Sequence, residues 1–486
     1  MLPLNPVPMT RRLRSLRAGL LCVALGAAGI GPAAAAAQDA PAAAPAGFHV
    51  PVIYDTLSNG LRVVLSRDTT APIVTVAVYY HVGFRIEPRN RTGFAHLFEH
   101  LMFQGSRNLG KLQFIRLVQR NGGILNGSTR FDFTNYFEVV PAHTLRTMLW
   151  AEADRMRGLA ITPENLANQQ GVVKNEVKVN VLNAPYGGFP WLDMPQIANS
   201  NWYNAHNFYG DLTDIDAATI ADAESFFHTY YTPSNAVLVL SGDFDPAQAQ
   251  QWIREYFADI PSHPAPPIPD LTEPRQEQEK RATHVDSLAP RPALAIAYHM
   301  PARGTPEYYA MGLIDQILLQ GKDSRLYQAL VQRAGLTGDV SGGINLLGNM
   351  YDYDGPMLWE AALFHDARTS PDSILHVIDG AIEPLRDSLV DRATLDRALV
   401  KARSSLYGAV DEFFGFGRAD LLASFALFDG DPSRINDIER EYRQVTPELI
   451  RRTAQEYLRP GNRTILIIEP KGHPAAGTGA APRSGS

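Results

Sequence analysis

One stretch of the chain occurs twice. Tyr80-His81-Val82-Gly83-Phe84-Arg85-Ile86-Glu87-Pro88 resembles Tyr298-His299-Met300-Pro301-Ala302-Arg303-Gly304-Thr305-Pro306, at an offset of 218 residues. Each copy follows a β-rich run and precedes a helical stretch closed by Gln-Gly, at Gln104-Gly105 and Gln320-Gly321. An offset this long excludes a short-period solenoid. It matches the size of one ordinary core, and 486 residues exceed what a single core holds. The duplication predicts two homologous domains of about 200 residues each.

The order of elements in the first copy can be read locally. Ser58-Asn59-Gly60 before Leu61–Leu65 marks a hairpin. Ile73–Val82 is β-branched and aromatic, a buried strand. Thr92–Phe103 switches to helical period, Asn135–Val140 is a strand, and Thr162-Pro163 is an N-cap followed by proline. Ala236–Leu240, ending at Gly242-Asp243, is a last strand. Six prolines between Pro261 and Pro274, then charged residues to Arg281, read as a linker. The expected organisation is a first domain at 48–260, a linker at 261–283, a second domain at 284–470 and a Gly/Ala/Pro/Ser-rich disordered tail at 471–486.

The beginning of the chain reads as an address. Arg11, Arg12, Arg14 and Arg17 precede the short apolar run Ala18–Ile30, and Ala35-Ala36-Ala37 fits a cleavage site before Gln38. Residues 1–37 are expected to be a secretory signal peptide and 38–47 an Ala/Pro linker. Twin-arginine export is only weakly hinted at, and a bare membrane anchor is the alternative. Cleavage removes four arginines and no acid, moving the net charge from −7 to −11. The expected location is outside the cytoplasm, in the periplasm if the source is a Gram-negative bacterium. No second long apolar run follows, so no stable membrane span is expected after cleavage. No basic run offers a nucleic-acid footprint. Cys22 is the one cysteine, which excludes a disulfide framework and leaves His, Asp and Glu to hold any metal.

His96-Leu97-Phe98-Glu99-His100 is the sharpest chemical signal. Histidines at i and i+4 lie one turn apart on one helix face. Two imidazoles so placed can share a Zn²⁺ at about 2.0–2.1 Å. Glu99 stands beside them, where it can take a proton from a metal-activated water; the pattern is H-x-x-E-H. A catalytic zinc needs a third protein ligand. Glu176 is a candidate, lying on a helix whose i−4 and i−3 neighbours are Val172 and Val173. From that window alone, a surface glutamate on an amphipathic helix fits equally well.

These residues resemble the pitrilysin and mitochondrial processing peptidase family over about Phe48–Pro470, duplication included. Gly122-Gly123, Asn126, Thr129, Thr134 and Tyr136 are similar to that family's active-site edge strand. Tyr230–Ala236 through Gly242-Asp243 is similar to its domain-closing segment, and Asp323–Tyr327 to its second-domain signature. The resemblance implies an α+β protein of two homologous α/β-sandwich-like domains, joined by a linker and facing each other across a chamber. It implies one zinc per chain on His96, His100 and Glu176, with Glu99 as base, and a peptide substrate added as a strand along Leu125, Asn126, Gly127 and Ser128. The implied activity is zinc endopeptidase. A non-catalytic assembly subunit of the same fold is the alternative, and such subunits commonly lose residues that are all retained here.

Two positions depart from the family pattern. Gln169 stands where many members carry a glutamate that supports the metal shell; an amide can hydrogen-bond but brings no charge. In the second half, an arginine and a tyrosine that reach the substrate in catalytic members are replaced by Val331 and Gly338. The repeat equivalents of His96, Glu99 and His100 are Gly312, Asp315 and Gln316. The resemblance therefore implies a heterodimer with a homologous partner that carries the arginine–tyrosine pair.

Overall fold

The computed structural model describes residues 48–471. The expected signal peptide and Ala/Pro linker, and the tail beyond Lys471, lie outside the described residues. The described residues form one compact unit.

That unit contains two mixed sheets. The first runs β1 (Ile53–Thr56), β2 (Arg62–Arg67), β3 (Ile73–Tyr80), β4 (Ile124–Thr129), β5 (Thr134–Pro141) and β6 (Ala236–Gly242), in spatial order β1-β2-β6-β3-β5-β4. The second runs β7 (Lys280–Asp286), β8 (Ala293–His299), β9 (Ser341–Ile344), β10 (Leu358–Phe364) and β11 (Arg463–Pro470), in order β7-β11-β8-β10-β9. Without β1 the two orders coincide, and each sheet has one parallel pair at the matching place, β2–β6 and β7–β11. The correspondence reaches single hydrogen bonds. Asn235 Nδ2 donates to the carbonyls of His81 and Tyr230, and Asn462 Nδ2 donates to those of His299 and Tyr457. β7 begins at Lys280, inside the stretch whose composition reads as a linker. Its charged residues are tolerated because it is an edge strand, paired on one side only.

The central strands β3 and β6 of sheet one are buried on both faces, which is why they are almost continuously apolar. Val74, Val76 and Val78 pack against the first half's own helices through Phe94, Leu97, Phe98 and Met148. Ala77, Tyr79, Phe137 and Val239 point the other way, into a core shared with the second half. The cover on that side is the end of the helical stretch Arg392–Phe428, which packs on β2, β3 and β6. Arg62 fixes it by donating to the carbonyls of Ala426 and Leu427. In return, helix Asp193–Ala198 of the first half packs on β7, β8 and β11, where Ala293, Ala295 and Ala297 leave room for it. The halves are thus in direct contact through exchanged helices. A buried Arg85–Asp132 pair ties the joint: Asp132 accepts from the amide of Asp354 and Arg85 donates to the carbonyl of Pro356. Gly355 lies so close that a Cβ there would sit 1.9 Å from Arg85 Nη1.

The stretch Arg392–Phe428 is two helices broken at Glu412–Gly415, where Phe413, Phe414 and Gly415 have φ of 51°, 59° and 88°. Among the described residues no helix is long and apolar enough to cross a membrane.

Candidate metal centre

Helix Phe94–Leu101 is set in place by a residue upstream of it. Glu87, fully buried, accepts from the amides of Gly93 (2.8 Å) and Ala95 (2.5 Å), two of the donors that a helix start leaves free. Every residue of that helix is buried, His96, Glu99 and His100 included. The imidazoles of His96 and His100 lie 4.9 Å apart, centre to centre. Helix Pro163–Val177, capped by Thr162 as its sequence predicts, packs against this helix and brings in Glu176.

His96 Nε2 is 3.5 Å from Glu176 Oε1, and His100 Nε2 is 3.3 Å from Glu176 Oε2. One atom from each of the three residues falls within 4.8 Å of the others. A tetrahedral set at about 2.0–2.1 Å from one ion has its members about 3.3 Å apart, so this spacing suits a cation at their centre. His96 adds a second sign of fit: both its ring nitrogens are buried without a hydrogen bond, a costly state for a polar group that lacks a partner. Burial disfavours charge on His96, yet the carboxylates of Glu176 and Glu99 outweigh it and raise its pKa to about 9. The same contacts outweigh burial at Glu176 and Glu99 and hold both carboxyls below their usual range.

Glu99 Oε2 lies 3.4 Å from His96 Nδ1 and accepts a 2.8 Å hydrogen bond from Thr129 Oγ1. Thr129 ends β4, the edge strand of sheet one. Gly127 passes directly over Glu99: a Cβ there would stand 3.4 Å from Glu99 Cγ and 3.2 Å from the Tyr136 ring. The edge Leu125–Ser128 is therefore laid beside Glu99. Ser128 Oγ donates to Asn135 on the neighbouring strand at 2.5 Å.

Gln169 is buried two turns before Glu176 on the same helix, and its amide donates to Asn168. The polar contact to Glu176 comes instead from Tyr209, whose hydroxyl donates to Oε1 at 3.4 Å; its ring stands edge-on to His96. Sequence reasoning missed Tyr209. It lies 33 residues beyond Glu176 and outside the H-x-x-E-H pattern, so no local spacing signals it.

The second half holds the same place without the chemistry. Gly312, Asp315, Gln316 and Ser405 line one cavity of about 370 Å³. Ser405 stands as far from its N-cap, Asp391, as Glu176 does from Thr162. A Cβ on Gly343 of β9 would stand 3.9 Å from Asp315 Oδ1, as one on Gly127 would stand close to Glu99. Asp315 accepts from Trp359 Nε1 at 2.8 Å. Val331 is half-buried and Gly338 exposed; neither carries a side-chain donor.

Comparison with known proteins agrees with this division. Residues 62–185 match the family profile described as Insulinase (Peptidase family M16), and residues 217–399 match that described as Peptidase M16 inactive domain. The zinc protease PqqE of Helicobacter pylori is 25% identical over 427 residues, covering 85% of this chain and 92% of that protein. The crystal structure of a protease from Helicobacter pylori superposes with a TM-score of 0.79 at 23% identity, over 87% of this chain and all of that one. The periplasmic protease PqqL of Escherichia coli superposes with a TM-score of 0.70 at 16% identity, over 86% of this chain and 47% of that one. The two profiles of that family together cover more than half of the chain, which therefore belongs to the M16 family of peptidases.

Proposed function

We propose that this chain is the zinc-bearing subunit of an exported endopeptidase. The observation that carries the reading is the meeting of His96, His100 and Glu176 beside Glu99, under an open sheet edge. His96, His100 and Glu176 hold one zinc ion, which supplies the Lewis acidity that makes water nucleophilic near neutral pH and polarises the scissile carbonyl. Tyr209 steadies the Glu176 carboxylate. An extended peptide pairs with Leu125–Ser128 through backbone hydrogen bonds, the usual mode at a free strand edge. Glu99, ionised at neutral pH because its carboxyl is held below the usual range, takes the proton of the attacking water and passes it to the leaving amine nitrogen. Thr129 fixes the carboxylate that makes this transfer. Gln169 lends neutral, not charged, support to the ligand helix.

Val331 and Gly338 offer no side-chain donor to the developing oxyanion, so a homologous partner chain supplies the missing arginine and tyrosine. Loss of one such donor costs about 2.7–4 kcal/mol in a typical hydrolase. The signal-like beginning of the chain and the periplasmic address in the name of the PqqL structure favour export to the periplasm. The two homologous domains are taken to span 48–260 and 284–470.

The test is a zinc determination and a peptide-cleavage assay on the purified chain, alone and with candidate homologous partners encoded beside it. Stoichiometric zinc, feeble cleavage alone and strong cleavage with a partner are expected. Full activity of the pure chain overturns the heterodimer. A chain that takes up no zinc overturns the peptidase reading and favours an assembly subunit.

A further inference from the structure

The two halves start the same helix by different means. In the second half Thr305 caps helix Pro306–Leu318 with its own hydroxyl, which accepts from the Tyr308 amide. The residue at the same place in the repeated segment is Glu87. In the first half the helix starts further on, behind Gly93, which has no side chain to cap with. Glu87 reaches forward to do this, with one carboxylate oxygen on the Gly93 amide and the other on the Ala95 amide. Both oxygens accept, so the cap needs the ionised form. Burial opposes it and pushes the Glu87 pKa up. A buried carboxylate of this kind calls for a partner of opposite charge. His206 stands where that partner belongs. Its side chain is 6% exposed, and Nε2 lies 3.8 Å from Glu87 Oε2. Nε2 is also 2.6 Å from the Phe84 carbonyl, and Nδ1 is 3.1 Å from the carbonyl of Trp202, the first residue of helix Trp202–Ala205. A carbonyl oxygen only accepts, so both contacts are hydrogen bonds only when both ring nitrogens carry a proton. The ring stacks on the Trp202 indole at 4.3 Å and 8°, an aromatic face that favours a cation.

We propose that His206 is a positioning residue of the metal centre: as an imidazolium it keeps Glu87 ionised, and Glu87 in turn fixes the start of the helix that carries His96, Glu99 and His100. The proposal rests on the zinc reading above and adds to it a residue that touches none of the ligands. A second path of contact runs the same way. Phe84 stands edge-on to His206 and to Phe208, and Phe208 packs on His96 at 5.4 Å. The other charged and titratable groups around the pair do not take the place of His206. Arg85 is turned to Asp132 and Arg91 to Asp222. Arg89 lies over the Trp202 and Tyr203 rings. The phenols of Tyr230 and Tyr231 are raised, by burial first, so they stay neutral and bring no positive charge. With its cation removed, Glu87 holds a proton over a wider range on the acid side and ionises again only as pH rises. The cap then weakens at low pH, and the ligand helix loses its fixed start.

The experiment uses the full chain. Zinc affinity is measured by competition against a chelator at about pH 6 and about pH 8.5, and hydrogen exchange at the Gly93 and Ala95 amides is followed in the metal-free protein. His206→Phe keeps a ring on Trp202 and removes both N–H groups. It is expected to lose about tenfold in zinc affinity near pH 6 and clearly less near pH 8.5, with faster exchange at both amides. Equal losses at the two pH values mean that the ring merely packs and overturn the proposal, as do unchanged affinity and exchange. Glu87→Gln is the second variant. It has no charge to balance, so adding His206→Phe to it should cost no further zinc affinity; a full further loss overturns the link through Glu87. Should His206→Phe alone fail to fold, a folded double variant upholds the proposal and an unfolded one overturns it. A wild type that takes up no zinc overturns the zinc reading and this proposal with it. Zinc uptake that is indifferent to His206 overturns this proposal alone.

Discussion

Glu99 and Asp315 occupy the same place in two copies of one domain, and their surroundings push them in opposite directions. Both are buried carboxylates on the helix that follows the repeated segment, each passed by a glycine of an edge strand. Beside Glu99 stand two imidazoles and a threonine hydroxyl, and its carboxyl is held below the usual range despite burial. Beside Asp315 stand an indole N–H and an amide, and burial wins: its pKa rises to about 6. A shared backbone therefore does not settle the charge of a buried acid. Its neighbours do, and here they lower one carboxyl and leave the other raised.

The comparison breaks most sharply at catalysis. Glu99→Gln keeps the ligands and removes the base. Cleavage should fall by about 10²–10⁴-fold with zinc content unchanged, read by parallel kinetics and metal analysis. Asp315→Asn in the other half should leave turnover near wild type. Equal losses in the two variants would mean that the halves share the chemistry.

Metal retention comes next. Glu176→Ala leaves two histidines, too few for a closed set, and zinc should be lost on dialysis that the wild type survives. Ser405→Ala, its counterpart, should change nothing in the metal analysis. Full zinc in Glu176→Ala would move the third ligand. Two buried acids of helix Leu145–Arg157 are already engaged elsewhere: Glu152 pairs with Arg155, and Asp154 accepts from Ser106 and Asn108.

Much of this contrast was legible in the sequence. His96, Glu99 and His100 follow from spacing, because a helix fixes which face i and i+4 share, and the duplication announced two sheets. Glu176 could not be fixed from its own window, since Val172 is exposed and Val173 buried on the same turn and the pattern reads as an ordinary amphipathic helix. Tyr209, Thr129 and Glu87 were not assigned their contacts, because each meets its partner through tertiary packing of separate elements. The exchange of helices between the halves left no local signal either: the residues that pack on the far sheet have the same apolar character as those that pack on their own.

A smaller effect is expected in stability, on the inactive side. The Asp315 pKa is raised from an unfolded value near 3.8 to about 6. The folded state therefore favours the protonated form. That contribution is complete below about pH 4 and is lost as pH rises through 6, so above pH 7 the buried charge costs roughly 2–3 kcal/mol. Asn at 315 keeps an oxygen for Trp359 and carries no charge. Asp315→Asn should unfold at a higher temperature than wild type at pH 8 and at a similar temperature at pH 4, as thermal melts in matched buffers would report. A gain of equal size at both pH values would point to packing in place of charge.

The smallest effect tests the one contact to the metal set that spacing did not reveal. Tyr209→Phe keeps the ring against His96 and removes the hydroxyl that donates to Glu176. At 3.4 Å that bond is long, and Glu176 is partly open to solvent that can replace it. Partners behind a metal ligand typically contribute 10–100-fold in affinity, so a loss near the lower end, about tenfold in zinc affinity, is expected, with turnover at saturating zinc close to wild type. Competition against a chelator measures the first and kinetics in excess zinc the second. A large fall in turnover at full zinc occupancy would mean that Tyr209 acts on the substrate and not through Glu176. The hydroxyl would then be doing, from within this chain, part of the work assigned above to a partner.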